Sequence, residues 1–144
     1  MMTDSDGWNT DFPIEEEVED YAGRMRPFVI TCFDTGAGFT VRAEERSRTD
    51  GGYQFASFSE ISPYGALGRV RQKMYRGLAT RHVSRSDGGY RMLHDELRGR
   101  ITSDSRGNVA LVVDGISLGI EELAYILASH EGWEFRLRIV DALA

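Results

Sequence analysis

The chain has 144 residues, with 17 Lys and Arg against 23 Asp and Glu, a net charge of −6 and a hydrophobic share of 41%. These values are typical of a globular domain of ordinary size. The single cysteine, Cys32, excludes an internal disulfide and a cysteine-rich zinc site, and every apolar run is well short of the ~20 residues that span a bilayer.

Residues 1–26 are predicted to form an acidic N-terminal arm. Eight acidic residues and no basic residue precede Arg24, which is the opposite of a secretory leader and predicts a cytoplasmic protein. Within the arm, residues 11–23 are typical of a short helix, because Pro13 suits its first position and apolar residues recur at i, i+4 and i+7. The candidate partner-binding side chains of the arm are Trp8, Phe12, Ile14, Val18 and Tyr21.

A single α+β domain is predicted over residues 27–144. It opens with three strand-like runs, which are separated by turns rich in glycine and aspartate. The first run is continuously apolar and the second alternates strictly between apolar and polar residues. Together the runs predict a three-stranded antiparallel meander over residues 28–33, 39–46 and 53–58.

The longest predicted helix covers residues 63–83 and carries a one-sided charge. Pro63 suits the first helical position, and the apolar stripe of the helix consists of Leu67, Val70, Met74 and Leu78. From residue 61 to residue 86 there are six basic residues and no acidic one, whereas most helices mix the two signs. The cations on the outward face of the long helix are the remaining candidate partner-binding residues: Arg69, Lys73 and Arg76.

The last third of the chain predicts further strands and a second helix. Residues 90–100 fit either a helix or a strand, and residues 109–113 form a wholly apolar strand. A helix from residue 118 to about residue 130 is predicted to bury Ile120, Leu123, Ala124 and Leu127. A closing strand, Glu134–Val140, alternates strictly. The sequence thus predicts an α+β fold in which an antiparallel sheet of about six strands, in the order β-β-β-α-β-β-α-β, carries two helices on one face and a short N-terminal helix or arm.

The same region resembles a small bacterial domain family of unknown function. The residues that carry the resemblance are Asp114-Gly115, Glu121-Glu122 and the run Glu131-Gly132-Trp133-Glu134-Phe135-Arg136-Leu137-Arg138-Ile139, which closes on Asp141. The resemblance covers roughly residues 53–141. It implies a single domain and brings no activity with it.

No catalytic constellation follows from the sequence, which contains no nucleophile elbow, Walker motif, GxGxxG or HExxH. His82 and His130 lie near the ends of predicted helices, where a cationic imidazole interacts favourably with the helix dipole. His94 and Asp95 are adjacent, so their side chains diverge. We therefore expect no metal and no cofactor.

A non-catalytic interaction protein is the function that these features favour. It would be a small bacterial or phage accessory, regulatory or inhibitory factor that binds a macromolecular partner, with another protein as the expected partner. The amphipathic arm would lie in a groove of that partner as a helix. Two alternatives stay open: a small hydrolase or nuclease that uses His94, Asp95 and His130, and a nucleic-acid-binding module built on the basic helix 63–85. The net negative charge disfavours the second.

Overall fold

The computed structural model describes residues 7–47 and 51–144, and contacts between Cα atoms divide these residues into two compact units. Unit 1 holds the described residues up to Arg46, together with Gln54–Ala79 and Asp141–Ala144. Unit 2 holds the described residues of Ser47–Tyr53 together with Thr80–Val140. The division runs through the range 27–144, so the cooperative folding of that range as one domain stays a prediction.

Unit 1 is a four-stranded antiparallel sheet with a helix packed on it. A short helix, α1 (Trp8–Asp11), precedes the sheet, and the long helix α2 (Pro63–Ala79) follows it. The strands pair in sequence order. They are β1 (Ile14–Glu19), β2 (Met25–Asp34), β3 (Phe39–Glu45) and β4 (Gln54–Ser59). The predicted three-stranded meander corresponds to β2, β3 and β4 and is confirmed within a few residues.

The core of unit 1 lies between this sheet and α2. Strand β3 alternates buried and half-buried residues, and α2 packs against β1, β3 and β4. The whole predicted stripe of α2, Leu67, Val70, Met74 and Leu78, is buried. The helix ends at Ala79 rather than at residue 83, because Val83 begins the first strand of unit 2.

The helix predicted over residues 11–23 is wrong, since Ile14–Glu19 forms strand β1 and the short N-terminal helix is α1. Burial alternates along this strand: Ile14, Glu16 and Val18 are buried or half-buried, and the residues between them are exposed. This two-residue alternation is that of a strand, although the apolar residues are also spaced as in a helix. The strand pairs with β2 along its full length, whereas a helix this short is marginal in isolation. Residues 1–6 of the predicted arm, and Asp50 of the predicted turn, lie outside the described residues.

The described residues of unit 2 form a β-hairpin, a three-stranded antiparallel sheet and one helix. The hairpin consists of β5 (Val83–Ser86) and β6 (Gly89–Met92). The sheet consists of β7 (Arg100–Ser103), β8 (Val109–Val113) and β9 (Ile116–Gly119), with β8 in the centre. Helix α3 (Ile120–Ala128) follows directly. The core joins all three parts through Val83, Val113, Leu118 and Ile126.

The fold class is confirmed as α+β with antiparallel strands, but within residues 7–47 and 51–144 the strands number nine and form three sheets. The two long helices do not share one sheet, because α2 packs within unit 1 and α3 packs against β6 and β9 of unit 2. Helix α3 buries Ile126, while Ile120 and Leu127 of the predicted buried face are exposed. None of the helices in the described ranges is both long enough and apolar enough to cross a membrane.

The closing strand predicted at Glu134–Val140 is also wrong. These residues have no regular secondary structure, and no described strand pairs with them. Alternation of apolar and charged residues defines the two faces of a strand. The strand itself needs the backbone of a neighbour, and the described part of unit 2 supplies none at this position.

Candidate functional site

The five N-terminal side chains predicted to bind a partner belong to unit 1. The ring of Trp8 packs edge-on against Phe12, with ring centroids 6.3 Å apart, and against Phe39 of β3, with ring centroids 5.9 Å apart. Val18 is buried and Ile14 is half-buried, while Tyr21 is exposed in the turn after β1. Four of the five therefore pack within their own unit, and contact with a partner stays a prediction for this set.

The predicted basic face of α2 is interrupted at its centre. Arg69 and Arg76 are exposed, but Lys73 is half-buried and its ammonium turns back towards the protein. Its Nζ donates hydrogen bonds to the carbonyl oxygens of Ala56, at 2.7 Å, and Ala142, at 3.1 Å. Burial lowers the pKa of Lys73 against the opposing influence of Asp141. Lys73 thus acts within unit 1, and helical spacing alone did not reveal this because the long stem lets the ammonium reach backbone carbonyls.

Acidic residues near the N-terminus neutralise several arginines of unit 1. Arg71 of α2 forms an ion pair with Glu16 of β1 at 2.8 Å. Arg26 contacts Asp20 at 2.8 Å and Glu45 at 3.0 Å. These ion pairs join β1 and the turn after it to neighbouring elements. Acidic residues near the N-terminus and basic residues later in the chain therefore already neutralise each other within unit 1.

The residues of the hydrolase alternative do not form a site. His94 and Asp95 are exposed in a bend after β6. His130 lies beyond α3, where its Nδ1 is 3.3 Å from the carbonyl oxygen of Ile126 and its ring packs edge-on against Trp133 at 5.1 Å. No three His, Cys, Asp or Glu side chains within residues 7–47 and 51–144 are grouped to hold a metal ion.

The lone cysteine gives the enzyme alternative no support either. Cys32 is half-buried on β2, opposite Val41 of β3. Burial raises the pKa of its thiol, and the charge of nearby Asp34 raises it further. A catalytic thiolate needs the opposite setting, an electropositive one that lowers the pKa.

Asp114 and His82 form the best-bonded polar pair of unit 2, and the sequence did not predict it. One carboxylate oxygen of Asp114 accepts the backbone N–H groups of His82, at 2.8 Å, and Val83, at 2.9 Å. The other lies 2.9 Å from Nδ1 of His82. Asp114 adopts a left-handed φ of 55°, which aspartate tolerates better than most residues. The sequence does show an Asp-Gly turn after an apolar strand, which places Asp114 at a turn. It does not show that the carboxylate binds His82, which is 32 residues away.

An open cleft of about 680 Å³ lies in unit 2 between the hairpin and α3. Tyr125 covers the hairpin turn so closely that a side chain at Gly88 would collide with its ring. Ser86 Oγ donates to the Gly89 carbonyl at 2.9 Å, and His130 faces the end of its own helix. These two polar side chains thus bond to nearby backbone, and Tyr90 and Tyr125 contribute aromatic surface to the cleft.

Residues 133–140, which we call the C-terminal segment, form the most exposed apolar surface of unit 2. Trp133, Phe135, Leu137 and Ile139 are 65–86% exposed. Isolated exposed apolar residues are normal, but four at every second position, followed by an exposed Val140, concentrate exposed apolar side chains in one short segment, and such concentrations are typical of interaction sites. The intervening residues, Glu134, Arg136 and Arg138, are charged and exposed.

Two family models match the chain. Residues 10–79 are similar to the domain of unknown function DUF7686, and residues 82–144 are similar to the domain of unknown function DUF7713. The second match includes the C-terminal segment and the Asp114-Gly115 turn, so the expected resemblance to a domain of unknown function is confirmed in that general form. No curated protein and no solved structure matches the chain.

Proposed function

We propose that this protein is a non-catalytic interaction protein that binds another protein through the C-terminal segment. The observation that carries the proposal is the combination of strongly exposed apolar side chains at every second residue and a backbone that no described strand pairs with. A catalytic role has no comparable support, because His94 and Asp95 are exposed in a bend.

The mode of binding that this segment suits is strand addition. In that mode, backbone hydrogen bonds to a neighbouring strand supply affinity and alternate side chains supply specificity. The side chains of Phe135, Leu137 and Ile139 would project to one face and those of Arg136 and Arg138 to the other, since successive residues of a strand alternate. The apolar face would be covered and the charged face would stay in water.

The C-terminal segment replaces the N-terminal residues as the leading contact surface. Trp8 and Val18 pack within unit 1, so their release would uncover apolar area of that unit at a cost. The basic helix is a weaker candidate for nucleic acid, because Lys73 and Arg71 are both engaged inside unit 1.

The type of interaction protein and its compartment are proposed from the sequence alone. The fingerprint across residues 114–141 and the acidic N-terminal residues support a small bacterial or phage accessory, regulatory or inhibitory factor that acts in the cytoplasm. Such a factor works by occupying a partner, so the proposal requires no cofactor.

Affinity capture from a lysate of the source organism tests the proposal. Leu137→Asp should remove the captured partner, because a carboxylate in a desolvated contact lacks a compensating bond. Ile61→Asp is the matched control: Ile61 is 90% exposed on unit 1, and its substitution should leave capture unchanged. The captured protein is then purified and its affinity for each variant is measured by calorimetry. Equal affinities for the parent, Leu137→Asp and Ile61→Asp would reject the C-terminal segment as the binding surface.

A further inference from the structure

The C-terminal segment has a pattern that can pair with itself. In an antiparallel pair, directly opposite residues project to the same face, so two copies related by a two-fold axis must place odd positions opposite odd ones. The odd positions of this segment are all apolar, and the even positions from Glu134 to Arg138 are charged. Self-pairing therefore makes one face wholly apolar and places the charged residues from Glu134 to Arg138 on the other.

We infer that the strand which binds the C-terminal segment comes from a second copy of this chain; this inference rests on the proposed function. Residues 133–139 of the two copies pair antiparallel with Arg136 on the two-fold axis. Trp133 then lies opposite Ile139, and Phe135 lies opposite Leu137. Each pair occurs twice, so every exposed apolar side chain from Trp133 to Ile139 has an apolar neighbour.

Charge complementarity selects this register. With Arg136 on the axis, Glu134 of each copy lies opposite Arg138 of the other, which gives two pairs of opposite charge. The cost is a single like-charge contact of Arg136 with its own copy, on the solvated face where long side chains can diverge. Opposite charges across a strand pair stabilise it and like charges weaken it.

Neighbouring registers fit less well. Centring the pair on Leu137 places Arg136 opposite Arg138 twice and leaves Glu134 opposite an apolar residue. Centring it on Phe135 preserves an attraction between Glu134 and Arg136 but places Ile139 opposite Glu131. The Arg136-centred register therefore matches both faces over the longest span.

An isolated two-stranded ribbon is marginal in water, so its apolar face needs a further layer. Unit 2 carries exposed apolar side chains on one face of α3, namely Ile120 and Leu127. These belong to the same compact unit as the C-terminal segment. Two copies would supply two such helices to a shared apolar layer.

Sedimentation equilibrium of the purified full chain tests the inference. The parent should show a concentration-dependent monomer–dimer equilibrium. Glu134→Arg and Arg138→Glu should each weaken the dimer about tenfold, because each turns two attractive pairs into two repulsive ones. The double variant Glu134→Arg/Arg138→Glu should restore the parent dissociation constant within about threefold.

Arg136→Gln tests the register by the sign of its effect. It removes the like-charge contact on the axis, so the dimer should tighten about threefold. In a register centred on Phe135 the same substitution loses an attraction to Glu134, and a weaker dimer would overturn the proposed pairing. Leu137→Asp should weaken the dimer more than a hundredfold, whereas Ile61→Asp should leave it unchanged. Circular dichroism of each variant checks that the units remain folded.

A monomer at all concentrations would overturn the inference, and so would a dimer that the double variant fails to restore. These outcomes are separable from failure of the proposed function. A monomeric parent that loses a captured host protein on Leu137→Asp would contradict the self-pairing and support the binding surface. A dimer with the expected charge response, but with no host protein captured, would support self-pairing alone.

Discussion

The carboxylate of Asp114 holds His82 through both the backbone N–H and the imidazole of that residue. Both side chains are buried, and they join the turn after β8 to the beginning of β5, which are 32 residues apart in sequence. The same carboxylate binds the N–H of Val83, whose side chain lies in the core of unit 2. A single acidic residue thus fixes the hairpin relative to the central strand of the sheet.

Asp114→Ala should destabilise unit 2 by about 2–4 kcal/mol, because it leaves two buried N–H groups without their acceptor. Asp104→Ala is the matched control: Asp104 also accepts two backbone N–H groups, those of Arg106 and Asn108, but in an exposed turn. We expect a loss of about 1 kcal/mol or less there. Urea unfolding followed by circular dichroism measures both changes, and equal losses would contradict a special role for Asp114.

Val112→Asp should prevent unit 2 from folding. Val112 is 3% exposed in the central strand β8, and an unpaired carboxylate buried there costs several kcal/mol. Val109→Asp makes the same change on the same strand at a residue that is 54% exposed, and its melting temperature should stay close to that of the parent. Thermal unfolding distinguishes the two; a cooperative Val112→Asp melt within a few degrees of the parent would show that Val112 does not lie in the core.

Asp20 should make the stability of unit 1 depend on pH. Burial by itself raises the pKa of Asp20, but the hydrogen bond and charge of Arg26 and the backbone N–H groups of Arg24 and Ala22 outweigh it, so the pKa falls below its ordinary value of 3.8. Protonation is therefore easier in the unfolded chain than in the folded one. The stabilisation is fully present above the unfolded pKa and is lost as the pH falls through the lower, folded pKa.

Asp20→Asn should consequently be less stable than the parent at neutral pH, by roughly 1–3 kcal/mol, and the difference should shrink below pH 3.8. Glu19→Gln, at an exposed neighbour on β1, controls for the loss of one charge. Urea midpoints measured between pH 2 and about 7 give both differences. A gap between the parent and Asp20→Asn that is constant across this range would contradict the lowered pKa.

Two glycines of α2 should respond oppositely to alanine. A Cβ at Gly68 would meet no atom within 4 Å, whereas a Cβ at Gly77 would lie 2.6 Å from the ring of Phe55. Gly68→Ala should stabilise unit 1 by about 0.5–1 kcal/mol through helix propensity. Gly77→Ala should destabilise it by about 1 kcal/mol, because the ring must move. Melting temperatures of the two variants provide the comparison, and a shift of the same sign for both would contradict the close approach of Phe55.

The sequence determined the elements whose burial follows from their own pattern. The alternation at Phe39, Val41 and Ala43 predicted β3, and the stripe of α2 predicted the buried face of that helix; the structure confirms both. These predictions succeed because the residues on one face of a helix or strand recur at a fixed spacing, and that spacing can be read from the sequence.

Tertiary structure decided which strands exist and what they pair with. Residues 14–19 carry a spacing that also suits a helix, and pairing with β2 made them a strand. Residues 134–140 carry a strict strand pattern and no described strand pairs with them. The bond between His82 and Asp114 was equally hidden. A periodic pattern specifies which side of an element is apolar, but backbone hydrogen bonds need a neighbour, and only the folded chain determines whether that neighbour is present.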